Sequence, residues 1–414
     1  IMGLLNLFKN NKKQKSNLIS IDGSLGNVLM CGNSRYGKER IISDYAIDAL
    51  NGGGGLVVIR SAGGGYSAVP GITAQSAMIY DMDTGDGAFT EQFNPLAYLN
   101  DAQTAEFLFS VLNKYSRFES SMKMKFKQYI SKMLYLIKLA GKTPKINELS
   151  SYTIETLEDI NSRAHIPDVE KNLNERFFDG VRGDVAVIES YLYDFANNNA
   201  GFILSGDSSL EQIVSRGKII EVSLDFSTRQ EESELLLSIL FDKLYKFDYS
   251  KAGINRLVVV LDELPNETLI KAGAEKMFMN AAPCHIVLSV MDIAMLAEKS
   301  NVFIDKPDSL FFFQQQSNKN QEYCSEFFGN YEKTKVSTTQ TSGTNTSRTR
   351  SSLWDYWNDR GTSNKTRGTS SSVSYTSTTE KERVYLPDVF KSLPENQCIY
   401  FFRKDKSHNY LNIR

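Results

Sequence analysis

The chain has 414 residues, a formal net charge of −2 and 41% hydrophobic residues. This length allows two or three domains with sizeable cores. The near-neutral charge excludes bulk attraction to a polyanion, so any nucleic-acid contact must come from local patches. The four cysteines and three histidines show no metal-site spacing, and such scattered cysteines are typical of a reducing compartment.

The first residues form a short basic tail. An apolar start at residues 3–8 precedes Lys9, Lys12, Lys13 and Lys15. This amphipathic start could touch an anionic surface, although a frayed terminus is the simpler interpretation. The sequence contains no run of about 20 apolar residues, so we expect no membrane span.

Residues 27–50 predict a strand, a turn and a helix. The apolar run 27–31 is the strand, Gly32–Lys38 is the turn, and the helix is expected from Glu39 to Leu50. Gly, four residues, Gly and Lys is the spacing of a phosphate-binding loop, whose N–H groups point at an anion. The lysine then reaches the outer phosphates. The predicted nucleotide-binding residues are Gly32, Asn33, Ser34, Arg35, Tyr36, Gly37, Lys38 and Glu39.

The last position of this loop departs from the usual pattern. Ser or Thr normally follows the lysine and ligates Mg²⁺, whereas Glu39 stands there. A carboxylate can bind a metal, but it is longer and repels phosphate oxygens. An ordinary strand–turn–helix with a glycine turn is the alternative interpretation.

Apolar runs at 56–59 and 77–80 predict two further strands. This succession of strand, helix, strand, loop and strand indicates parallel crossovers in an α/β sheet. From residue 101 to about 204 the apolar spacing is helical. The clearest example is the stretch 122–139, whose expected apolar face comprises Phe126, Ile130, Met133, Leu134 and Ile137. Its lysines predict a solvated face or, as the alternative, a nucleic-acid contact.

The α/β pattern returns at residue 218. Strands are predicted at 218–222, 256–263, 285–290, 310–313 and 397–402, and helices at 231–247, 267–279 and 292–299. The strand 256–263 ends in Asp262 and Glu263, which is the form of a Walker B strand. Asp262 would hold Mg²⁺ through water, and Glu263 would polarise the attacking water as general base. Because strand ends often carry polar residues, only the order after a phosphate loop makes this signal specific.

Residues 333–383 differ in composition from everything around them. Ser and Thr supply 24 of the 48 residues from 333 to 380. The apolar residues that remain are too few to build a core. The alternation allows two long solvated strands in a hairpin, with Trp354, Tyr356 and Trp357 at its tip. The interleaved arginines and aromatic residues suit single-stranded nucleic acid or a partner surface. A flexible polar excursion is the alternative.

Together these features resemble the coupling-protein ATPases of type IV secretion and conjugation, the TraG/TraD group within the HerA–FtsK P-loop superfamily. The match covers about residues 20–400. The matching stretches, in order, are Gly32–Lys38, Leu56–Ile59, 93–96, the helical insertion, Leu257–Glu263, 327–329 and 383–388.

The resemblance implies a RecA-like nucleotide-binding sheet interrupted by an all-α domain, with ATP and Mg²⁺ as cofactors. It implies a homo-hexameric ring whose partners are DNA and the proteins of the secretion or conjugation machinery. A chain that lacks the family's membrane helices would be cytoplasmic or peripheral at the inner face of the membrane. The expected domains are a tail (1–17), the nucleotide-binding domain in three parts (18–100, 206–332 and 384–414), the all-α domain (101–205) and the Ser/Thr/Arg-rich extension (333–383).

Several residues depart from the family pattern. Arg60 stands where an acidic residue usually follows the second strand, and Met291 where a glutamine senses the γ-phosphate. Asn280, with Lys276 close by, stands near the position of an arginine that serves the neighbouring site. Together with Glu39, these changes predict that ATP hydrolysis is weakened or lost. If turnover occurs, Lys38 and Glu263 are the expected catalytic residues. A catalytically inactive scaffold and a DNA segregation or packaging motor are the alternatives.

Overall fold

The computed structural model describes most of the chain. The described residues are 26–33, 35–62, 79–85, 90–97, 99–116, 120–217, 219–279, 284–349 and 364–413. No helix within these ranges combines the length and apolar character that a membrane crossing requires. The chain divides into two compact units, of which one comprises residues 321–389 and the other the remainder.

In the larger unit, nine strands of the described residues form one sheet. They are β1 (Val28–Cys31), β2 (Gly55–Ser61), β3 (Ile79–Asp83), β4 (Ile219–Leu224), β5 (Leu257–Asp262), β6 (Cys284–Val290), β7 (Ser309–Phe312), β10 (Gln397–Phe402) and β11 (Ser407–Asn412). Their order in space is β11-β10-β7-β1-β6-β5-β2-β4-β3. All pairs from β7 to β3 are parallel, and β10 and β11 add an antiparallel edge. The predicted mostly parallel α/β sheet is confirmed.

The central strands are buried on both faces. Every residue of β1 is buried, and β5 is buried from Leu257 to Leu261. Near-continuous apolar runs of this kind are what a parallel sheet covered by helices requires. The edge strand β11 was not predicted, because its sequence from Ser407 to Asn412 is mostly polar and mostly exposed or half-buried.

Helix α1 (Arg35–Asn51) leads from β1 towards β2 and packs on the sheet. Its Ile41, Ile42 and Tyr45 lie in one buried cluster with Val28 of β1. The helix begins four residues before the predicted start at Glu39, so the prediction of a turn through Lys38 is wrong. Arginine and tyrosine accept helical backbone readily, and one glycine in a first turn weakens a helix without ending it.

Helices fill the chain between β3 and β4, where no described residue from 99 to 217 lies in a strand. They are α2 (Asp101–Ser116), α3 (Ser120–Leu139), α4 (Ile146–Leu149), α5 (Ile154–Arg163), α6 (Asp168–Ala196), α7 (Asn199–Ile203) and α8 (Leu210–Ser215). The predicted apolar face of α3 is confirmed, since all five of its residues are fully buried. The domain limits predicted from the sequence stay predictions.

The lysines of α3 form ion pairs within this helical region. Lys125 contacts Asp184, Lys127 contacts Glu106 and Lys138 contacts Asp101. The basic face of α3 is therefore partly neutralised by neighbouring carboxylates.

The remaining helices follow the later strands. They are α9 (Gln230–Tyr245), α10 (Tyr249–Ala252), α11 (Asn266–Ala272), α12 (Ala274–Met279), α13 (Ile293–Lys299), α14 (Val302–Asp305), α15 (Asn318–Phe328) and α16 (Pro387–Ser392). The single helix predicted over 267–279 is two helices. Gly273 has a φ of +87° and ends α11, because a left-handed residue cannot continue a right-handed helix.

The smaller unit is built on a hairpin of β8 (Asn330–Thr349) and β9 (Asn364–Arg383), which pair antiparallel along their whole length. At its base, Arg383 forms ion pairs with Glu322 and Glu326, and the rings of Phe328 and Tyr385 lie 4.8 Å apart. The two long strands agree with the alternation of the sequence. The aromatic residues predicted for the tip (354, 356 and 357) lie outside the described residues.

Candidate nucleotide-binding site

The carboxyl ends of β1, β6 and β5 lie side by side. Strand β6 separates the other two, with Ser289 paired in register with both Met30 of β1 and Asp262 of β5. The glycine turn after β1 and the acidic pair after β5 therefore meet at one edge of a shared parallel sheet. This is the edge where α/β sheets bind ligands.

Lys38 is the closest link between the two sequence motifs. Its ammonium donates hydrogen bonds to Oε1 of Glu263 and to the carbonyl oxygen of Val290, each at 3.2 Å. The Lys38 side chain is only 3% exposed, whereas that of Glu263 is 40% exposed. The structure thus places the predicted phosphate-binding lysine and the predicted general base in direct contact.

Gly32 is required by close packing at the end of β1. Its φ is +108°, and a Cβ atom there would lie 2.4 Å from Nε2 of Gln315 and 2.6 Å from the carbonyl oxygen of Gln314. The N–H groups of Gly32 and Asn33 donate to the carbonyl oxygens of Val290 and Gln314. In this arrangement these two N–H groups bind strand ends, which differs from the anion cradle predicted for them.

The rest of the loop begins α1. Gly37 is buried in its first turn, and Lys38 follows it. Ser34 lies outside the described residues, and for Arg35 and Tyr36 only the helical backbone is described. Glu39 is half-buried, and its carbonyl oxygen accepts a hydrogen bond from the Ser43 hydroxyl at 2.7 Å.

Glu263 has an unusual backbone. Its φ is +51°, in the left-handed region that non-glycine residues rarely adopt. Its N–H donates to the carbonyl oxygen of Ser289 at 3.0 Å, which fixes this turn at the end of β5. The strained backbone of Glu263 therefore directs its side chain towards Lys38.

Asp262 is the more buried of the two carboxylates. Burial raises the pKa of Asp262, and the Ser289 hydroxyl lowers it by a smaller amount. The Glu263 charge raises the same pKa further, while Lys38 and Arg60 lower it. A carboxylate whose charge is costly in this way gains from a bound cation.

Arg60 has a partner that the sequence did not predict. It is the last but one residue of β2 and pairs in register with Asp262, and its Nε lies 2.7 Å from Oε1 of Glu221 on β4. Burial raises the pKa of both Glu221 and Asp81, and Arg60 lowers both. The sequence contained one indication of this ion pair, because Glu221 is a charged residue inside an apolar strand. Arg60 thus supplies a positive charge at the edge where the acidic pair lies.

Gln315 is a second residue that sequence reasoning missed. It is buried beyond the end of β7, and its Nε2 donates to the carbonyl oxygens of Cys31 and Phe313 at 3.2 and 2.9 Å. The sequence feature that could have indicated Gln315 is a run of glutamines directly after an apolar strand. Met291, at the position expected for a sensor, is 55% exposed.

Lys276, the cation nearest the position expected for the arginine of a neighbouring site, is exposed on α12. Asn280 lies outside the described residues.

The donor set fits a nucleotide with Mg²⁺. Mg²⁺ is usually held by one or two carboxylates together with phosphate oxygens and water, and Asp262 and Glu263 supply two carboxylates. No group of three or more His, Cys, Asp or Glu side chains suited to a metal occurs among the described residues. A metal here would therefore take the rest of its ligands from phosphate oxygens and water.

Solved structures with the same fold include a bacterial conjugative coupling protein and VirB4. The conjugative coupling protein TrwB, in a form with sulphate, matches with a TM-score of 0.54 and 13% identity over 94% of this chain and 85% of that chain. TrwB with the GTP analogue GDPNP matches at 0.51 and 14% identity over 94% and 85%. VirB4 of Thermoanaerobacter pseudethanolicus matches at 0.52 and 11% identity over 94% and 89%.

No protein-family profile matches the chain, and no curated protein matches it in sequence. Another TrwB structure that shares the fold contains ADP and Mg²⁺. The identities are too low to show more than a common fold. The chain therefore has the RecA-like α/β fold of the conjugative coupling protein TrwB and of VirB4.

Proposed function

We propose that this chain binds ATP with Mg²⁺ and acts as a coupling-protein-like component of a conjugative DNA-transfer or type IV secretion system. The observation that carries the proposal is the convergence of Lys38 with Asp262 and Glu263 at one sheet edge. The fold supports it further, because TrwB structures with this fold contain nucleotide and Mg²⁺.

Each residue has a role in this proposal. The first turn of α1 lies at the phosphates, where Lys38 neutralises their charge, and Gly32 and Asn33 form the bend before it. Asp262 would hold Mg²⁺, and Glu263 would accept a proton from the attacking water. Mg²⁺, when bound, would neutralise charge between the outer phosphates.

Hydrolysis is proposed to be weak. Glu39 replaces the hydroxyl that usually ligates Mg²⁺, and exposed Met291 replaces the expected glutamine sensor. An arginine supplied to the site contributes roughly 10³–10⁵ in rate where it is present. Binding without efficient turnover is therefore the central expectation.

The proposal extends to assembly and partners. A homo-hexameric ring, contact with DNA and machinery proteins, and a cytoplasmic position at the inner face of the membrane all follow from the coupling-protein resemblance. Three lysines of α3 already pair with carboxylates. We therefore assign any DNA contact to the arginine-rich part of the Ser/Thr tract, residues 348–367.

Calorimetric titration with the ATP analogue AMP-PNP and Mg²⁺ tests the binding site. We expect the wild-type chain to bind and Lys38→Ala to weaken binding by roughly 10–100-fold, the range for a lost charge-assisted hydrogen bond. Lys319→Ala is the matched control, because Lys319 also pairs with a glutamate, Glu298 at 2.8 Å, but on the surface. Absence of binding by the folded wild-type chain would favour the scaffold alternative and end the proposal.

Phosphate release, measured with and without DNA, tests turnover separately. Any ATPase activity should disappear in Glu263→Gln, since an amide cannot accept the proton. Activity that survives this substitution would show that Glu263 is not the base.

A further inference from the structure

We propose that Glu263 has a second role, as an internal competitor that holds Lys38 until a nucleotide displaces it. This inference rests on the proposed nucleotide binding and adds a control of affinity to it. The carboxylate and the outer phosphates compete for one ammonium group. Glu263 thereby sets how tightly the site binds.

The contacts of Lys38 support this role. Its side chain is 3% exposed, and a buried ammonium is costly unless it is paired and hydrogen-bonded. Two of its three donor positions are used by Glu263 and the carbonyl oxygen of Val290. Lys38 is thus held in a satisfied arrangement that does not need a phosphate.

The backbone of Glu263 supports it independently. A φ of +51° at a glutamate costs free energy, and such strain persists where the surrounding structure imposes it. The hydrogen bond from the Glu263 N–H to the Ser289 carbonyl oxygen holds the strained turn. A relaxed backbone at this position would direct the side chain differently, so the strain and the ion pair belong to one arrangement.

The same geometry allows release. The Glu263 side chain is 40% exposed, so its carboxylate can turn towards water once Lys38 has gained a phosphate. Val290 belongs to the sheet and stays in place. The proposed step is therefore an exchange of acceptors at Lys38, in which a phosphate oxygen takes the place of the Glu263 carboxylate.

A double-mutant cycle on AMP-PNP binding with Mg²⁺ tests the competition. We expect Glu263→Gln to tighten binding by about tenfold, within the range of couplings between contacting residues. In a Lys38→Ala background the same substitution should change affinity by less than about twofold. Weak binding in that background can be measured as thermal stabilisation at millimolar nucleotide.

Two controls complete the design. Glu298→Gln breaks the matched surface pair with Lys319 and should leave the affinity unchanged. AMP lacks the outer phosphates, so its affinity should not respond to Glu263→Gln. If Glu263→Gln does not fold, Glu263→Asn replaces it, because asparagine tolerates a left-handed backbone.

The outcomes separate the two proposals. Nucleotide binding that is equal in the wild type and in Glu263→Gln overturns the competition and leaves the proposed function standing. An equal gain with and without Lys38 shows simple charge repulsion and also overturns it. Binding by neither chain overturns both proposals.

Discussion

Strands β5 and β8 have the same secondary structure for opposite physical reasons. β5 has six residues and is buried as far as Leu261, whereas β8 has 20 residues, and those of its side chains that are described are exposed. Burial of apolar area, at about 25 cal/mol per Å², specifies β5. β8 gains little from burial and depends on the β-propensity of its threonines and on pairing with β9.

The difference extends to function. The apolar strands of the sheet end in a few charged residues, and the surrounding structure fixes each of them. Three exposed apolar residues of the hairpin, Val336, Tyr375 and Val373, lie on one face and alternate with Ser and Thr. An isolated two-stranded hairpin is marginally stable in water. We therefore expect substitutions to be costly at the sheet edge and nearly free in the hairpin.

The largest contrast is expected between two glycines. Gly32→Ala should destabilise the chain by roughly 4 kcal/mol, because its Cβ overlaps Gln314 and Gln315 and its φ is positive. Gly343→Ala in β8 should be neutral or stabilising by about 0.5 kcal/mol, since its Cβ meets only the Ser370 hydroxyl at 3.7 Å. Urea unfolding of both variants measures this. Similar costs at both positions would remove the distinction between the regions.

A smaller contrast is expected between two apolar side chains. Leu257→Ala at the start of β5 should cost about 3 kcal/mol, because Leu257 is fully buried and its loss leaves a cavity. Val373→Ala in β9 should change the free energy of unfolding by less than about 0.5 kcal/mol, since Val373 is 46% exposed. The same unfolding titrations apply. A cost above about 1 kcal/mol at Val373 would contradict the expectation that substitutions in the hairpin are nearly free.

The smallest expected effect depends on pH. Burial raises the pKa of Asp262 in the folded chain. As pH rises, the Asp262 carboxyl therefore loses its proton in the unfolded chain before it does so in the folded chain. The Asp262 contribution to stability therefore falls as pH rises. Asp262→Asn should gain thermal stability relative to the wild type as pH rises above about 4.

Asp405→Asn is the control for this measurement. Hydrogen bonds from Ser407 lower the pKa of Asp405, so its carboxylate favours the folded state as pH rises. The stability difference between Asp405→Asn and the wild type should have the opposite sign. A difference of the same sign in both variants would contradict the assignment of burial as the cause at Asp262.

Apolar runs were enough to predict the sheet. The stretches around Val28, Leu257 and Ile286 became neighbouring strands, because a run of such residues is stable only between covering layers. The spacing of Gly32 and Lys38, and the carboxylates after β5, correctly indicated one shared edge. The start of α1 at Arg35 was not predicted, because local propensity does not determine the first residue of a helix that tertiary packing extends.

Contacts between distant residues could not be predicted. Lys38 and Glu263 are 225 positions apart, and nothing local specifies that an ion pair forms between them. The partner of Arg60 and the packing of Gln315 against β1 likewise depend on strand order. Strand β11 was missed for a different reason, since an edge strand with polar residues lacks the apolar signal of a buried one.

The position of β1 has a consequence for biosynthesis. Its parallel neighbours β6 and β7 begin at residues 284 and 309, so β1 leaves the ribosome more than 250 residues ahead of both. At about 5–20 residues per second this is a wait of roughly 10–60 seconds. During that time its four apolar residues have no strand beside them, and the loop that follows cannot reach Glu263. Nascent chains should therefore complete this part of the sheet only after the residues of β7 have been synthesised.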